Sequence, residues 1–515
     1  MMEVNSLKKI AILLIVCVAT VMSGCDSDVR LLDTVPADAA AVVAVNAVRL
    51  NEDLDGVRNG GKLTADETLD RLLVNSTDRA KKQIKTVLMS TAIDRNMVVA
   101  FAIHDKEGLR GVKDMIKSGV YILTFKINNI AELIEQLEAG SKQSVGDFDA
   151  YSLDHTTLFV KGKQGWIMDG DPQRSAKLLS EQLTIASNKS IASLKGVGKF
   201  LERNDEVMRT VVAMTPASAS GWTCVDASFG SNATQVDVNA IYLNANGDEI
   251  DMNANLQKIN SKLIDYTAPS DVFVAAMGLR SDTDWDAILG YVQAVYPLDY
   301  KQRTLMGLIL PYLRRIDGTI MVAAGPMADA TMSAGDIENQ ISFVVAIEMN
   351  KDNIKKTMSD INGLISTMGL SALRDGNSIV WQVAGSPAIT LTAEGNCLVF
   401  ANRSLKQLGN DAARDCMKGN VVAVWANIPD SMGEVTYGGR GFSLDMEVSD
   451  DFEADFRFNG SNAPILEQFA MLMQADGNVN VVDDDDYDSL GFTPIDTIKS
   501  VSYTHLRAHE TVLDL

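Results

Sequence analysis

Two histidines near the end of the chain have the spacing of a metal-binding helix. His505 and His509 are four residues apart, which would place both imidazoles on one helix face, as in the H-E-x-x-H zinc motif. Leu506 stands where that motif needs its glutamate base, and no third ligand is evident. The other histidines are His104 and His155. The sequence therefore predicts neither a histidine-based metal site nor histidine-based catalysis.

The other motifs that carry chemistry are missing or weak. The chain has no G-x-S-x-G nucleophile elbow, no P-loop and no C-x-x-C pair. The glycine-rich segment Tyr437–Phe442 could cradle an anion, but a strand bend or hairpin is the expected structure. The acidic run Val481–Asp488 lacks the spaced ligands of a calcium loop, and we expect a solvated loop there. We predict no catalytic residue, no metal site and no cofactor.

Carboxylates and tryptophans leave two alternatives open. The chain holds 68 acidic residues, among which a pair about 5–10 Å apart would suit a glycoside hydrolase. The sequence cannot pick out such a pair. Trp222 is the best candidate for an exposed ring that stacks on a sugar, whereas Trp381 and Trp425 lie in apolar strands and are expected in the core.

The start of the chain has the organisation of an export signal. Lys8 and Lys9 precede the apolar run Ile10–Val21, which at about 12 residues is too short to span a membrane. Met22–Cys25 follows, with an apolar residue, two small residues and a cysteine. This segment resembles the lipobox of bacterial lipoproteins. The resemblance implies a diacylglyceryl thioether on Cys25, cleavage before it and acylation of the new amine, which together give a stable membrane anchor. An ordinary signal peptide with a chance cysteine is the alternative.

Charge and cysteine usage narrow the class of protein. The chain of 515 residues has a formal net charge of −22, which argues against a nucleic-acid partner because phosphate backbones need basic surfaces. Cys17 would leave with the signal and Cys25 would be lipidated, so Cys224, Cys397 and Cys416 remain. Three cysteines do not make a disulfide scaffold. We expect small buried side chains, with a Cys397–Cys416 bridge as the alternative.

An internal repeat sets the domain organisation. Six segments of the first half match six of the second half in the same order, roughly 200 to 230 residues apart. Collinear order is not expected of unrelated domains, so we predict a duplication, with two unrelated α+β domains as the alternative. The matched segments are Val35–Asn46 with Ala268–Leu279, Ile93–Ala102 with Ile316–Gly325, Val120–Ile134 with Ile341–Lys355, Gln164–Asp171 with Asn396–Arg403, Val211–Pro216 with Val424–Pro429, and Glu249–Asn255 with Glu453–Asn459.

Each half has hairpins with helices between them, which predicts an α+β fold with largely antiparallel sheets. Hairpin tips are predicted at Lys161–Gly165 and Thr392–Asn396, and helical segments at Asp284–Val295 and Gln302–Leu313. Thr64 followed by Glu67 predicts a capping box, and the Asn-Gly pair in Asn244–Asp248 predicts a tight turn. We predict two tandem, internally duplicated domains, each a largely antiparallel sheet packed with helices. The boundaries are 1–24 for the signal peptide, 25–34 for a lipidated tether, 35–266 and 267–500 for the repeat domains, and 501–515 for a tail. That tail resembles one that recurs on unrelated proteins predicted from assembled reads, so we expect it to be non-native.

Four three-residue motifs suggest a modification. Each has an aspartate, then a serine or threonine, then an apolar residue, and together they resemble the O-glycosylation acceptor of Bacteroidetes. The resemblance implies Thr34, Ser431, Ser489 and Thr497 as acceptors. Thr34 is favoured because it lies in the predicted tether.

The lipobox, the Pro-x-Asp strand after a short tether and the duplicated α+β layout resemble a family of uncharacterised envelope lipoproteins from gut Bacteroidales. That family is a domain of unknown function. The resemblance implies a lipid anchor in the outer membrane. The acidic stretch Asp26–Asp28 resembles the surface-export signals of Bacteroidetes lipoproteins, which implies the cell surface slightly more than the periplasmic face. We expect a non-catalytic protein that binds an unknown protein or glycan. The alternatives are an envelope or polysaccharide hydrolase that uses a carboxylate pair, and a structural envelope component.

Overall fold

A computed structural model of the chain describes residues 31–475 with internal gaps. The gaps are 75, 77, 104–119, 154, 195, 203–206, 214–220, 230–232, 245, 250–255, 287–305, 308–309, 328–340, 368–371, 383–387, 406–408, 436–439 and 450–451. Residues 1–30 and 476–515 also lie outside the described residues. The predicted signal peptide, Cys25, the acidic run and the last two histidines are among them.

Strands and helices alternate along the described chain. The strands of the first half are β1 Ala41–Val45, β2 Ile93–Ile103, β3 Val120–Ile127, β4 Gln143–Val145, β5 Phe148–Ser152, β6 Thr156–Lys161, β7 Gln164–Asp169, β8 Met208–Ala213, β9 Trp222–Phe229 and β10 Val236–Leu243. Those of the second half are β11 Phe273–Leu279, β12 Ile316–Pro326, β13 Ile341–Met349, β14 Ala372–Asp375, β15 Ser378–Trp381, β16 Ile389–Glu394, β17 Cys397–Ala401, β18 Val422–Ile428, β19 Phe442–Val448 and β20 Phe452–Phe458. The helices are α1 Ala47–Leu54, α2 Ala65–Leu72, α3 Asp78–Met89, α4 Ile130–Gln136, α5 Pro172–Asn188, α6 Val197–Leu201, α7 Lys351–Thr367, α8 Asp411–Met417 and α9 Ile465–Ala475.

These twenty strands form one antiparallel sheet. The order across it is β4-β5-β6-β7-β3-β2-β1-β8-β9-β10-β20-β19-β18-β11-β12-β13-β17-β16-β15-β14. The predicted α+β fold with a largely antiparallel sheet is confirmed. The two predicted domains do not have separate sheets, however, because β10 pairs with β20 and joins them.

The two halves place their strands in the same order from edge to centre. Each strand of the first half has a counterpart ten strands later, from β4 and β14 at the edges to β10 and β20 in the middle. The first five matched segments fall on strands that are counterparts in this sense. The sixth match does not, because Glu249 lies beyond β10 and residues 250–255 are outside the described residues.

Two hairpins near each edge of the sheet turn at glycines in the left-handed region. Gly146 and Gly162 have φ of 58° and 63°, and their counterparts Gly376 and Gly395 have φ of 55° and 62°. Each is the first residue of a two-residue turn, where a side chain would strain the backbone. The predicted hairpins β6–β7 and β16–β17 are confirmed.

Helix starts follow local capping. The backbone N–H of Glu67 donates to Thr64 Oγ1 at 3.3 Å, and the backbone N–H of Thr64 donates to Glu67 Oε2 at 2.9 Å. This is the predicted capping box, and it starts α2. Asn129 caps α4 in a similar way. Most of the helical segment predicted between β11 and β12 lies outside the described residues.

The cores lie on both faces of the sheet because strand side chains alternate. On one face, Ala41, Val43 and Val45 of β1 pack with α1, α2 and α3, and we call this cluster core 1. On the other face, Val42 and Ala44 of β1 pack with α5 and α6, and we call this cluster core 2. In the second half, α7 packs on the face of core 1 and α8 on the face of core 2.

The last helix crosses back to the first half. α9 follows β20 but packs against α1 and α2, where Ile465 and Leu466 are buried in core 1. The Glu467 side chain accepts hydrogen bonds from the backbone N–H groups of Lys62 and Leu63 at 2.7 and 2.9 Å. Thus β20 and α9 both tie the second half to the first.

Candidate functional site

Six carboxylates gather on the central strands of the sheet. Strand register places them on one face, the face of core 2, since directly opposed residues share a face. We call this set the acidic junction, because it spans the pairing of β10 with β20. Its members are Asp226 on β9, Asp237 on β10, Glu453 and Asp455 on β20, and Asp445 and Glu447 on β19.

Asp237 and Asp455 are directly opposite each other across the β10–β20 pairing. Opposed side chains in antiparallel strands have Cβ atoms about 5 Å apart, so like charges there repel. Asp445 is directly opposite Asp455 on its other side. Asp455 is therefore flanked by an acidic residue on each neighbouring strand.

This placement changes the acidity of two carboxyls. Partial burial raises the pKa of Asp455 to about 6, and the hydrogen bond to Asp237 and the charges of Asp237, Asp445 and Glu453 add to the rise. Partial burial also raises the pKa of Asp445, although Arg457 opposes that shift. At neutral pH the acidic junction therefore concentrates negative charge, and protonation of Asp455 lowers that charge.

The margins of the acidic junction carry partners for its outer carboxylates. Asn239 donates to Asp226 Oδ1 at 3.1 Å, and Arg209 lies directly opposite Asp226 on β8. Asn420 donates to Glu447 Oε2 at 2.8 Å. In the middle, Asp237 accepts from Gln235 Nε2 at 2.6 Å, while Asp455 faces an acidic residue on each side.

A small apolar cavity among the described residues lies away from the acidic junction. This cavity of about 20 Å³ lies on the opposite face, in core 1, lined by mostly apolar side chains that include Ile84, Val98 and Leu123. That volume would hold about one water molecule. Within the described part of the chain, no three His, Cys, Asp or Glu side chains are grouped so that they could hold a metal ion.

Thr34 is not in a free tether. Leu31 and Leu32 are 4% and 2% exposed in core 2, so the chain is already packed there, and the predicted tether 25–34 extends too far. The Thr34 hydroxyl donates to the Leu31 carbonyl at 2.7 Å and accepts from Gln164 Nε2 at 2.8 Å. A glycan on Thr34 would have to break these contacts.

Ser431 is the accessible one of the two predicted acceptors that the structure describes. It is exposed in a short 3-10 helix that follows β18. Ser489 and Thr497 lie outside the described residues. Neither Thr34 nor Ser431 is a member of the acidic junction.

Trp222 is buried, so its predicted role as an exposed sugar-stacking ring is wrong. It is 2% exposed and is the first residue of β9, packed in core 2. Trp381 is buried and Trp425 is half-buried, as expected of strand residues.

The three remaining cysteines are free and buried, as predicted. Burial raises the pKa of the Cys224 and Cys416 thiols to about 12 and that of Cys397 to about 11. The Cys397–Cys416 bridge left open above is not formed.

The structure describes only the end of the glycine-rich segment Tyr437–Phe442. Residues 437–439 are outside the described residues. The backbone N–H of Gly441 donates to Asp430 Oδ1 at 2.5 Å, and β19 begins at Phe442. The last part of the segment therefore leads into a strand.

Sequence reasoning missed the acidic junction. The signal was present in β10 and β20, where "VDVN" and "FEADF" place polar side chains at alternate positions, three of them acidic. Alternation indicates which side chains share a face of one strand, but it does not identify the strand beside it.

Comparisons with known proteins add little. No protein-family model matches this chain, and no curated protein matches it. Among solved structures, it is similar to a chain described as the structure of crystal form I of TP0453, at 9% sequence identity and a TM-score of 0.22. The match covers 74% of this chain and 96% of that one. At this TM-score the similarity carries no argument about function.

None of the described helices combines the length and the apolar character that crossing a bilayer would require.

Proposed function

We propose that this chain is a lipid-anchored protein of the cell envelope that binds a partner and has no catalytic activity. The lipobox-like segment Met22–Cys25 carries the proposal. Since Leu31 is already buried, the link from Cys25 spans roughly 20 Å at full extension. Such a link would keep the folded body close to the membrane surface.

The openness of the central sheet supports the binding role. All seven residues of β19 are half-buried, although their side chains point alternately to both faces. Antiparallel sheets commonly leave one face to water while the other is packed. Central strands that stay partly open on both faces leave space for a protein or glycan partner.

Detergent partitioning tests the anchor. The mature wild-type protein should enter the detergent phase of Triton X-114, and metabolic labelling with palmitate should mark it. Cys25→Ser should move it to the aqueous phase without label. Cys17→Ser is the matched control, since that residue lies in the apolar run and should leave the anchor intact. Recovery of the Cys25→Ser variant in the detergent phase would contradict the proposal.

We also propose that the anchor lies in the outer membrane and that the body faces the cell surface. Membrane fractionation tests the first part, and protease treatment of intact cells tests the second. A protein that is cut only after the cells are opened would face the periplasm.

A duplication of one ancestral domain is the origin we propose for the two halves. The shared strand order and the equivalent turn glycines support it. Superposition of the two halves tests it: strands β1–β8 and β11–β18 should superpose with their connections. A superposition that fails outside single hairpins would contradict common origin.

The alternative of a hydrolase is favoured by one observation, the opposed pair of Asp237 and Asp455. A pair of carboxyl groups is the usual requirement for acid–base cleavage of a glycosidic bond. Release of sugars from envelope and dietary polysaccharides, abolished by Asp455→Asn but not by Asp375→Asn on β14, would establish this alternative. Partner capture without turnover would support the binding role. If neither sugar release nor partner capture is observed, a structural envelope component is favoured.

A further inference from the structure

We infer that the β10–β20 pairing is a proton-dependent junction between the two halves, firmest when Asp237 and Asp455 share one proton and weaker when both are ionised. The register carries this inference. Among the described strands, β10–β20 is the pairing that joins the halves, and the two aspartates are directly opposite each other within it.

The surroundings of the pair are mostly acidic. On the same face, the neighbours of the pair are Asp445 and Glu447 on β19, Glu453 on β20 and Asp226 on β9. Two cations share this face: Arg457, two residues from Asp455 on β20, donates to Ser443 Oγ at 3.0 Å, and Arg209 on β8 lies opposite Asp226. No described group of three acidic side chains is arranged to hold a metal ion.

The sign of the pH dependence follows from this geometry. Asp455 has a raised pKa of about 6 in the folded chain, against 3.8 when unperturbed. The closed junction therefore binds more protons than the open one between these values. Its stability is greatest at acidic pH and falls as the pH rises through about 6. The Asp237 carboxylate also accepts a hydrogen bond from Gln235 Nε2 at 2.6 Å.

Hydrogen exchange measured by mass spectrometry tests the inference on the full mature chain. Protection factors of peptides from β10 and β20, corrected for the intrinsic pH dependence of exchange, should fall about three- to tenfold between pH 5.0 and 7.5. Peptides from β1 and β2 provide the internal reference, because their pairing has no opposed acids.

Variants separate the pair from the general acidity of the chain. Asp455→Asn and Asp237→Asn should each reduce the change at β10 and β20 to less than about twofold. Asp375→Asn, an exposed acid opposite Ser378 on the β14 edge hairpin, is the matched control and should behave as the wild type.

The inference is overturned if β10 and β20 lose no more protection than β1 and β2 in the wild type. It is also overturned if both asparagine variants keep the wild-type change. If one variant fails to fold, as judged by circular dichroism, the other still decides, because each removes one member of the same pair.

Discussion

Thr34 and Thr267 make the same hydrogen bond at corresponding places in the two halves. Each hydroxyl donates to the carbonyl oxygen three residues earlier at 2.7 Å, from Thr34 to Leu31 and from Thr267 to Ile264. Each threonine closes a short 3-10 helix just before the first strand of its half. A small local contact thus recurs where the strand order predicts a counterpart.

The two threonines should differ in their contribution to stability. Thr267 is fully buried and its hydroxyl accepts from the backbone N–H of Asn410 at 2.8 Å, whereas Thr34 is half-buried. Thr267→Val should lower the free energy of unfolding by about 1–3 kcal/mol, because it leaves a buried donor without its acceptor. Thr34→Val should cost about 1 kcal/mol. Urea unfolding of both variants checks this order, and a larger loss for Thr34→Val would contradict it.

A buried ion pair holds the start of the second half. Arg403 donates to both carboxylate oxygens of Asp271, at 2.7 Å for the Nη2–Oδ2 contact, and the Asp271 side chain is 0% exposed. Asp271→Asn should lower the free energy of unfolding by about 3–5 kcal/mol, because Arg403 keeps a buried charge. The control is Asp282→Asn in the exposed pair with Arg280, which should leave the free energy of unfolding nearly unchanged. Equal losses in urea unfolding would refute the role of burial.

A glycine makes room for the carboxylate that docks α9. A Cβ at Gly61 would lie 2.3 Å from Glu467 Oε2 and 2.8 Å from Pro464 Cδ. Gly61→Ala should therefore destabilise the protein by about 1–3 kcal/mol and speed proteolytic release of α9. Gly363→Ala is the control, since that helical position has open space and alanine there should stabilise by up to about 1 kcal/mol. Wild-type cleavage kinetics in Gly61→Ala would show that this contact does not hold the helix.

The three buried thiols should resist alkylation. Burial raises their pKa to between about 11 and 12, so few thiolates form at pH 8. Iodoacetamide should leave Cys224, Cys397 and Cys416 unmodified in the native protein and label all three in guanidinium chloride, as read by peptide mass spectrometry. Native labelling of any of them within minutes would contradict their burial, and a missing label after unfolding would reveal a disulfide.

Local signals in the sequence predicted local structure well. The Thr64–Glu67 capping box and the turn at Gly162 depend on residues that are neighbours along the chain, so the sequence contains their whole cause. Trp222 shows the limit. Its flanking serine and glycine suggested exposure, yet it is buried because distant segments cover its end of β9 in core 2. Whether a side chain at a strand end is buried depends on residues that are far away along the chain.

The sequence by itself determined the class of fold, the positions of most strands and the fact that corresponding segments follow in the same order in the two halves. It did so because hydrophobic alternation and turn residues act within a few positions. Only the tertiary structure decided that β10 pairs with β20, that Asp237 meets Asp455, and that α9 returns to the first half. A strand's pattern fixes which residues share a face, but its partner and register depend on contacts that form only when distant segments fold together.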